Sequence, residues 1–376
     1  MLFQYLSSAV LLSVASAQSL TQVLSGNNQT SQLAGLVGGF PNLVTQLGSA
    51  RNITLLAPSN NALGTLLNST AGKALAANSG AVQALLQYHV LNGTYRADAV
   101  TNTSAFIPTA LTNTTYANVT GGQRIEALRA GTNVTFFSGL LANTSVVQAD
   151  VPFDGGVIHV IDKVLTLPAS INDTLIAARL SSLAGALNAT NLLGTVSGLQ
   201  DVTIFAPNNA AFRAIGSALA NASVETLTSI LTYHVIDGTT PLYSSSLTNG
   251  TSVATVNGAS LTVTFGANNT VFVNGAKVVT PNVLVAGGVV HVIDAVLNPS
   301  ATAGPTPSAT AGTGAFSGAS SATNEPFTSG VAVPTTTVGG GAGAASSTSS
   351  RANAPMMTGA VGAAALFGAA AFAANM

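Results

Sequence analysis

The sequence predicts an α+β protein made of two tandem copies of one domain. Two observations carry that reading. Three long segments recur in the same order, and each copy opens with helical periodicity and closes with alternating strands.

The repeat is direct. Residues 53–63 read ITLLAPSNNAL and residues 202–212 read VTIFAPNNAAF. Residues 85–95 (LLQYHVLNGTY) match 230–240 (ILTYHVIDGTT), and 146–165 (VVQADVPFDGGVIHVIDKVL) match 278–297 (VVTPNVLVAGGVVHVIDAVL). The offsets are 149, 145 and 132 residues, so the first copy is longer, mainly in Asn- and Thr-rich segments suited to surface loops. Self-similarity of this kind outranks any single motif.

The elements follow in order within each copy. Leu175, Ile176, Leu180, Leu183 and Leu187 stand at helical spacing in the opening helices. A strand comes next (residues 53–57 and 202–206) and is stopped by proline, after which Asn60 or Asn208 is expected to cap a helix. A further helix (82–88 and 224–233) runs into the Tyr-His-Val segment. Alternating strands such as 261–265 and 270–273 follow, and the copy ends with Gly155-Gly156 or Gly287-Gly288 before a dense apolar strand. Helices first and an antiparallel sheet later indicate α+β domains over residues 18–168 and 169–298.

Outside the repeats the composition changes. Residues 1–17 are apolar, end in Ala15-Ser16-Ala17, and are expected to be a secretory signal. Residues 299–352 are rich in Ser, Thr, Pro and Gly, with Glu325 the one charged residue before Arg351, and are expected to be a disordered, O-glycosylated stalk reaching up to about 150 Å. Residues 353–376 match a glycosylphosphatidylinositol attachment signal, with Asn353 the expected attachment residue and Ser350 next.

Charge narrows the function classes. Only 6% of residues are charged and the net charge is −1, so a clustered basic surface for nucleic acid is excluded. Glycan is expected to keep so uncharged a surface wet. Fourteen Asn-x-Ser/Thr acceptors support this: Asn28, Asn52, Asn68, Asn92, Asn102, Asn113, Asn118, Asn133, Asn143, Asn172, Asn188, Asn221, Asn249 and Asn268. In Asn52-Ile53-Thr54 and Asn133-Val134-Thr135 a period of two places Asn and Thr outward and the middle residue inward. Cysteine is absent, which excludes disulfides, thiolate metal sites and a Cys nucleophile.

The strand ending in Ala-Pro, the Tyr-His pair and Gly-Gly-Val-x-His-Val-Ile-Asp, in that order, resemble the fasciclin domain. The resemblance covers residues 19–298 in two copies and implies a β-sandwich or wedge fringed by helices, used in adhesion. Anchor, stalk and glycans together look like a fungal or plant fasciclin-like surface protein. It also implies adhesive roles for Asp150 with Val151, and for Tyr88-His89 and Tyr233-His234; the second copy has Asn282 where the first has Asp150.

The chemistry-bearing residues read otherwise as structure. His159 and Asp162, like His291 and Asp294, are three apart on a strand and face opposite ways, so they cannot chelate together. No Gly-x-Ser-x-Gly elbow and no Walker spacing occur. No catalytic residue, metal or cofactor is assigned. The expected role is non-catalytic binding of wall polysaccharide or a surface or matrix protein, with self-association and a lipid anchor. The alternative is a carrier of a small apolar ligand held between helices and sheet.

Overall fold

The computed structural model describes residues 18–301, 304 and 309–334. The expected signal (1–17), the distal stalk (335–352) and the anchor signal with Asn353 and Ser350 lie outside the described residues.

In domain 1, helices α1 (Leu20–Gly26), α2 (Ser31–Gly38) and α3 (Pro41–Ser49) precede strand β1 (Ile53–Pro58). Helices α4 (Asn60–Asn68), α5 (Thr70–Ala76) and α6 (Ser79–Tyr88) lead to β2 (Val90–Asn92), β3 (Ala105–Pro108), β4 (Arg124–Ala130), β5 (Asn133–Phe137), β6 (Asn143–Phe153) and β7 (Gly156–Ile161). Domain 2 repeats the plan. Helices α7 (Ile171–Ala177), α8 (Ser181–Ala189) and α9 (Leu192–Gly198) precede β8 (Val202–Pro207). Then come α10 (Asn209–Ala214), α11 (Gly216–Ala220) and α12 (Val224–Tyr233), followed by β9 (Val235–Asp237) and β10 (Ser252–Ala254). Strands β11 (Ser260–Phe265), β12 (Val271–Val273), β13 (Ala276–Val285) and β14 (Gly288–Ile293) complete it.

Each domain holds a seven-stranded sheet, ordered β2-β1-β7-β6-β5-β4-β3 and, in mirrored listing, β10-β11-β12-β13-β14-β8-β9. The α+β class stands, but the sheet is mixed instead of wholly antiparallel. The last strand lies parallel to the first, β7 on β1 and β14 on β8. A parallel pair needs a long crossover, and here the crossover is most of the domain.

Strands β6 and β13 carry register shifts that bend each sheet across its middle. In β1, Ile53, Leu55 and Ala57 pack with the helices, whereas Leu56 joins a second core beneath the folded-over half sheet. Val202, Ile204, Ala206 and Phe205 divide in the same way in β8. Both strands are therefore buried on both faces. Gly156 and Gly288 open the last strands at φ 153° and 156°, and a Cβ there would strike the carbonyls of Ile53 and Val202. This close approach explains the repeated Gly-Gly.

Two local expectations are corrected. Ser59, not Asn60, caps α4 by accepting from the Ala62 amide, while Asn208 caps α10 as expected. Asn60 instead ties the helices together, its Nδ2 donating to the Asn28 carbonyl and Ser31 Oγ. In Asn52-Ile53-Thr54 the outward-facing Thr does not occur. Asn52 sits before the strand at φ 58° and Thr54 is buried, its hydroxyl donating to the Gly93 carbonyl. Asn133-Val134-Thr135 does alternate, because β5 is covered on one face only.

The largest correction concerns the stalk. Residues 309–334 form no regular element, yet they lie along domain 2. Phe316, Ala319, Phe327 and Val331 pack on its helical core, and Phe327 meets Phe212 edge to face at 6.4 Å. The Asn209 side chain donates to Glu325 at 2.8 Å, and the Ala322 amide donates to the Arg213 carbonyl. Overall composition suggested disorder, but two phenylalanines and one acid hold this segment down.

Candidate functional site

The four histidines are the most chemically capable side chains, and each braces the backbone. His89 Nδ1 donates to the Leu85 carbonyl (2.7 Å) and its Nε2 accepts from the Leu165 amide (3.1 Å). His234 repeats this with Ile230 (2.8 Å) and Leu297 (2.9 Å). In the last strands the tautomer is reversed. His159 Nε2 donates to the Tyr95 carbonyl (2.7 Å) while Nδ1 accepts from the Asp150 amide (3.2 Å). His291 does the same with Leu242 (2.8 Å) and Asn282 (3.3 Å).

One donor and one acceptor per ring fix the neutral form. Burial pushes His89, His234 and His291 down to about 4, their carbonyl partners offsetting only part of that. Such rings are occupied and inaccessible. Among the described residues no cluster of three or more His, Asp or Glu could hold a metal ion.

This burial removes four of the adhesive candidates as contact residues. Tyr88, His89, Tyr233 and His234 are all at most 3% exposed. Tyr88 Oη donates to the Arg124 carbonyl and Tyr233 Oη to that of Ser260, so both hydroxyls are satisfied inside. Apolar neighbours around the Tyr-His pair signal such burial in the sequence itself.

Asp150 and Val151 are only partly covered. Asp150 occupies the register shift of β6 at φ 56°, its Oδ1 accepting from the Ala97 amide (3.0 Å) and its Oδ2 4.0 Å from Arg96. Asn282 holds the matching place at φ 62°, where its Oδ1 accepts from the Ser244 amide (2.9 Å). The two residues do one structural job, and only Asp150 adds a charge near the surface.

The glycan acceptors map outside the core. None of the fourteen asparagines is buried, and only Asn118 and Asn172 are partly covered. An apolar cavity of about 50 Å³ lies among α2, α4, α5 and α6, lined by residues including Leu33, Leu63, Leu66 and Leu75. Small-molecule sites run roughly 300–1,000 Å³, so this cavity is too small for a carried lipid.

The domains meet through polar and aromatic contacts that sequence reasoning did not find. Phe106 stacks on Tyr243 with ring centroids 4.1 Å apart. Gln123 Nε2 donates to the Val285 carbonyl (3.1 Å), and Thr120 donates twice to the Asp201 carboxylate. Glu126 is fully buried at this seam. Its Oε1 accepts from Ser104 at 2.5 Å, Asn282 of domain 2 stands beside it, and burial pushes the carboxyl up to about 7.

Two copies of one α+β domain, each braced by two buried histidines, make this a tandem-domain protein. The Fasciclin domain matches residues 28–168 and 178–299. The chain belongs to the fasciclin-domain family, in two copies. It is 33% identical over 343 residues to a fasciclin-like arabinogalactan protein of Arthroderma benhamiae, covering 88% of this chain and 79% of that protein. It is 33% identical over 300 residues to the fasciclin-like arabinogalactan protein CTB11 of Cercospora beticola, covering 77% and 78%. Cell surface glycolipoprotein MPB83 of Mycobacterium bovis is 40% identical over 137 residues, 35% of this chain and 60% of that protein. A solved FAS1 domain pair from the insect cell adhesion molecule Fasciclin I aligns at TM-score 0.35 and 19% identity, covering 73% of this chain and 98% of that one.

Proposed function

We propose that this chain is a non-catalytic cell-surface or cell-wall protein that holds two coupled fasciclin domains outside the cell. One observation carries the reading: all four histidines are committed to backbone braces, while every glycan acceptor lies outside the core. What the fold exposes is therefore sugar-bearing surface. Similarity to fasciclin-like arabinogalactan proteins and to a cell surface glycolipoprotein supports the same location.

The partner is a wall polysaccharide or a surface or matrix protein, bound weakly at several points, with self-association adding further contacts. Tethering raises the effective concentration of such contacts without a tight site. Residues 1–17 direct secretion, and the tail that follows the attachment residue, Asn353 or Ser350, is exchanged for a lipid anchor on that residue's carbonyl. The carrier alternative loses support among the helices of domain 1, where the apolar cavity is small.

Binding of the secreted protein to a glycan array and to isolated cell walls tests the reading. Retention that disappears when residues 18–298 are deleted is expected. Equal retention by the stalk alone would assign the role to the stalk instead.

A further inference from the structure

The loop between β3 and β4, residues 109–123, carries domain 1 onto domain 2, and Asn118 lies at its centre. Domain 2 holds Asn118 on three sides. Its amide donates to the Ala286 carbonyl (2.6 Å) and its own carbonyl accepts from the Asp201 amide (3.3 Å). Its side-chain Nδ2 donates to the Leu199 carbonyl (3.1 Å) and reaches that of Gly198 (3.4 Å).

Asn118 is also the acceptor of the sequon Asn118-Val119-Thr120. The third residue is engaged as well, for Thr120 gives its amide (2.8 Å) and its hydroxyl (2.5 Å) to Asp201. An N-glycan is bonded to Nδ2. A sugar carbon at roughly 1.45 Å replaces one of the two Nδ2 hydrogens, so Nδ2 can no longer donate to both carbonyls and the ring must be accommodated against the domain 2 backbone that Nδ2 touches. No other sequon asparagine among the described residues donates from Nδ2 to the opposite domain. Asn92 and Asn221 use Nδ2 for bonds, but to Thr109 and Ser217 within their own domains.

Timing leaves both outcomes open to the chain. Leu199 follows Asn118 by 81 residues, and domains fold in order as they are made. Asn118 therefore meets the glycan-transfer machinery before the surface that will cover it exists.

We propose that glycosylation of Asn118 and docking of the two domains exclude one another. Unmodified chains carry the domains as one body, and chains modified at Asn118 carry them apart. Asn118 thereby sets the spacing of two potential contact surfaces, a deepening that rests on the glycoprotein reading above.

Two measurements on the full secreted chain test this. Glycopeptide mass spectrometry across size-exclusion fractions should find Asn118 unoccupied in the compact fraction and occupied only in fractions of larger radius. The chain has no cysteine, so Asn118→Cys and Asn113→Cys each introduce a unique thiol. Asn113 is exposed on the same loop. A bulky maleimide should label Asn118→Cys at least about tenfold more slowly than Asn113→Cys in the native protein, and equally fast in urea. An occupied Asn118 in the compact fraction, or equal native labelling of the two thiols, overturns the proposal. Thiol protection in a chain bearing no glycan at all would leave docking intact and sink the glycoprotein reading instead.

Discussion

The Nε2 of His89 accepts a hydrogen bond from the amide of Leu165, 76 residues later, and so ties the end of α6 to the segment that leaves the last strand. His234 and Leu297 form the same tie in domain 2. A protonated ring has no lone pair to offer, and would turn an N–H toward an N–H.

Acid should therefore loosen both domains. His89, His234 and His291 titrate near 4 when folded and near 6.5 when unfolded. Their contribution is complete above pH 6.5 and is lost as pH falls toward 4, on the order of 3 kcal/mol each at most. Thermal melts followed by circular dichroism should show the midpoint dropping across that window. A midpoint unchanged from pH 7 to 4.5 would contradict the brace assignment.

Glu126 works with the opposite sign. Its folded value near 7 lies above the ordinary 4.5, so its contribution is complete below 4.5 and is lost as pH rises through 7. Glu126→Gln keeps the shape and removes the titration. The variant should gain on the parent between pH 4.5 and 7 and hold a lead on the order of 2–3 kcal/mol above it. Parallel melting curves at pH 5 and pH 8 would show that the carboxyl is not buried at the seam.

Phe327 anchors the extended segment on domain 2. Phe327→Ala should lower stability by about 2 kcal/mol, less than the roughly 3–5 of a fully buried ring, because Phe327 is half-buried. Hydrogen exchange should quicken in α8 and α10 and stay unchanged in α2 and α4. Uniform quickening in both domains would rule out a local anchor.

Asp150→Asn should fold normally, since Asn282 already does that job in domain 2. Stability within about 0.5 kcal/mol of the parent is expected. Cell-wall retention that falls while the melt is unchanged would make the Asp150 charge a contact. Unchanged retention would leave it purely structural.

Enzymatic removal of N-glycans under native conditions should cause association, because only 6% of residues are charged. Light scattering before and after treatment reads this directly. A stripped protein that stays monodisperse would show that the peptide surface suffices for solubility.

The repeat, the order of elements and the burial of the histidines were all legible in the sequence. Each follows from local periodicity, or from a polar residue set among apolar neighbours. The parallel pairing of β7 on β1 was not, since a strand's pattern says nothing about which distant strand it meets. Nor did Thr54 declare itself buried, because alternation describes one covered face and β1 has two. The segment from 309 to 334 misled for a related reason. Its average composition is that of a free chain, and its two phenylalanines acquire meaning only beside Phe212 and the α8 surface.

The sequence alone determined that there are two like domains, sparsely charged and rich in N-glycosylation sequons, because covalent order and composition need no partner to be read. Only the tertiary structure decided which acceptors are free, which acid is buried, and that Asn118 faces the second domain. Those are properties of surfaces brought together from residues about 80 to 160 apart, and proximity across such loops is set by packing, which no local pattern encodes.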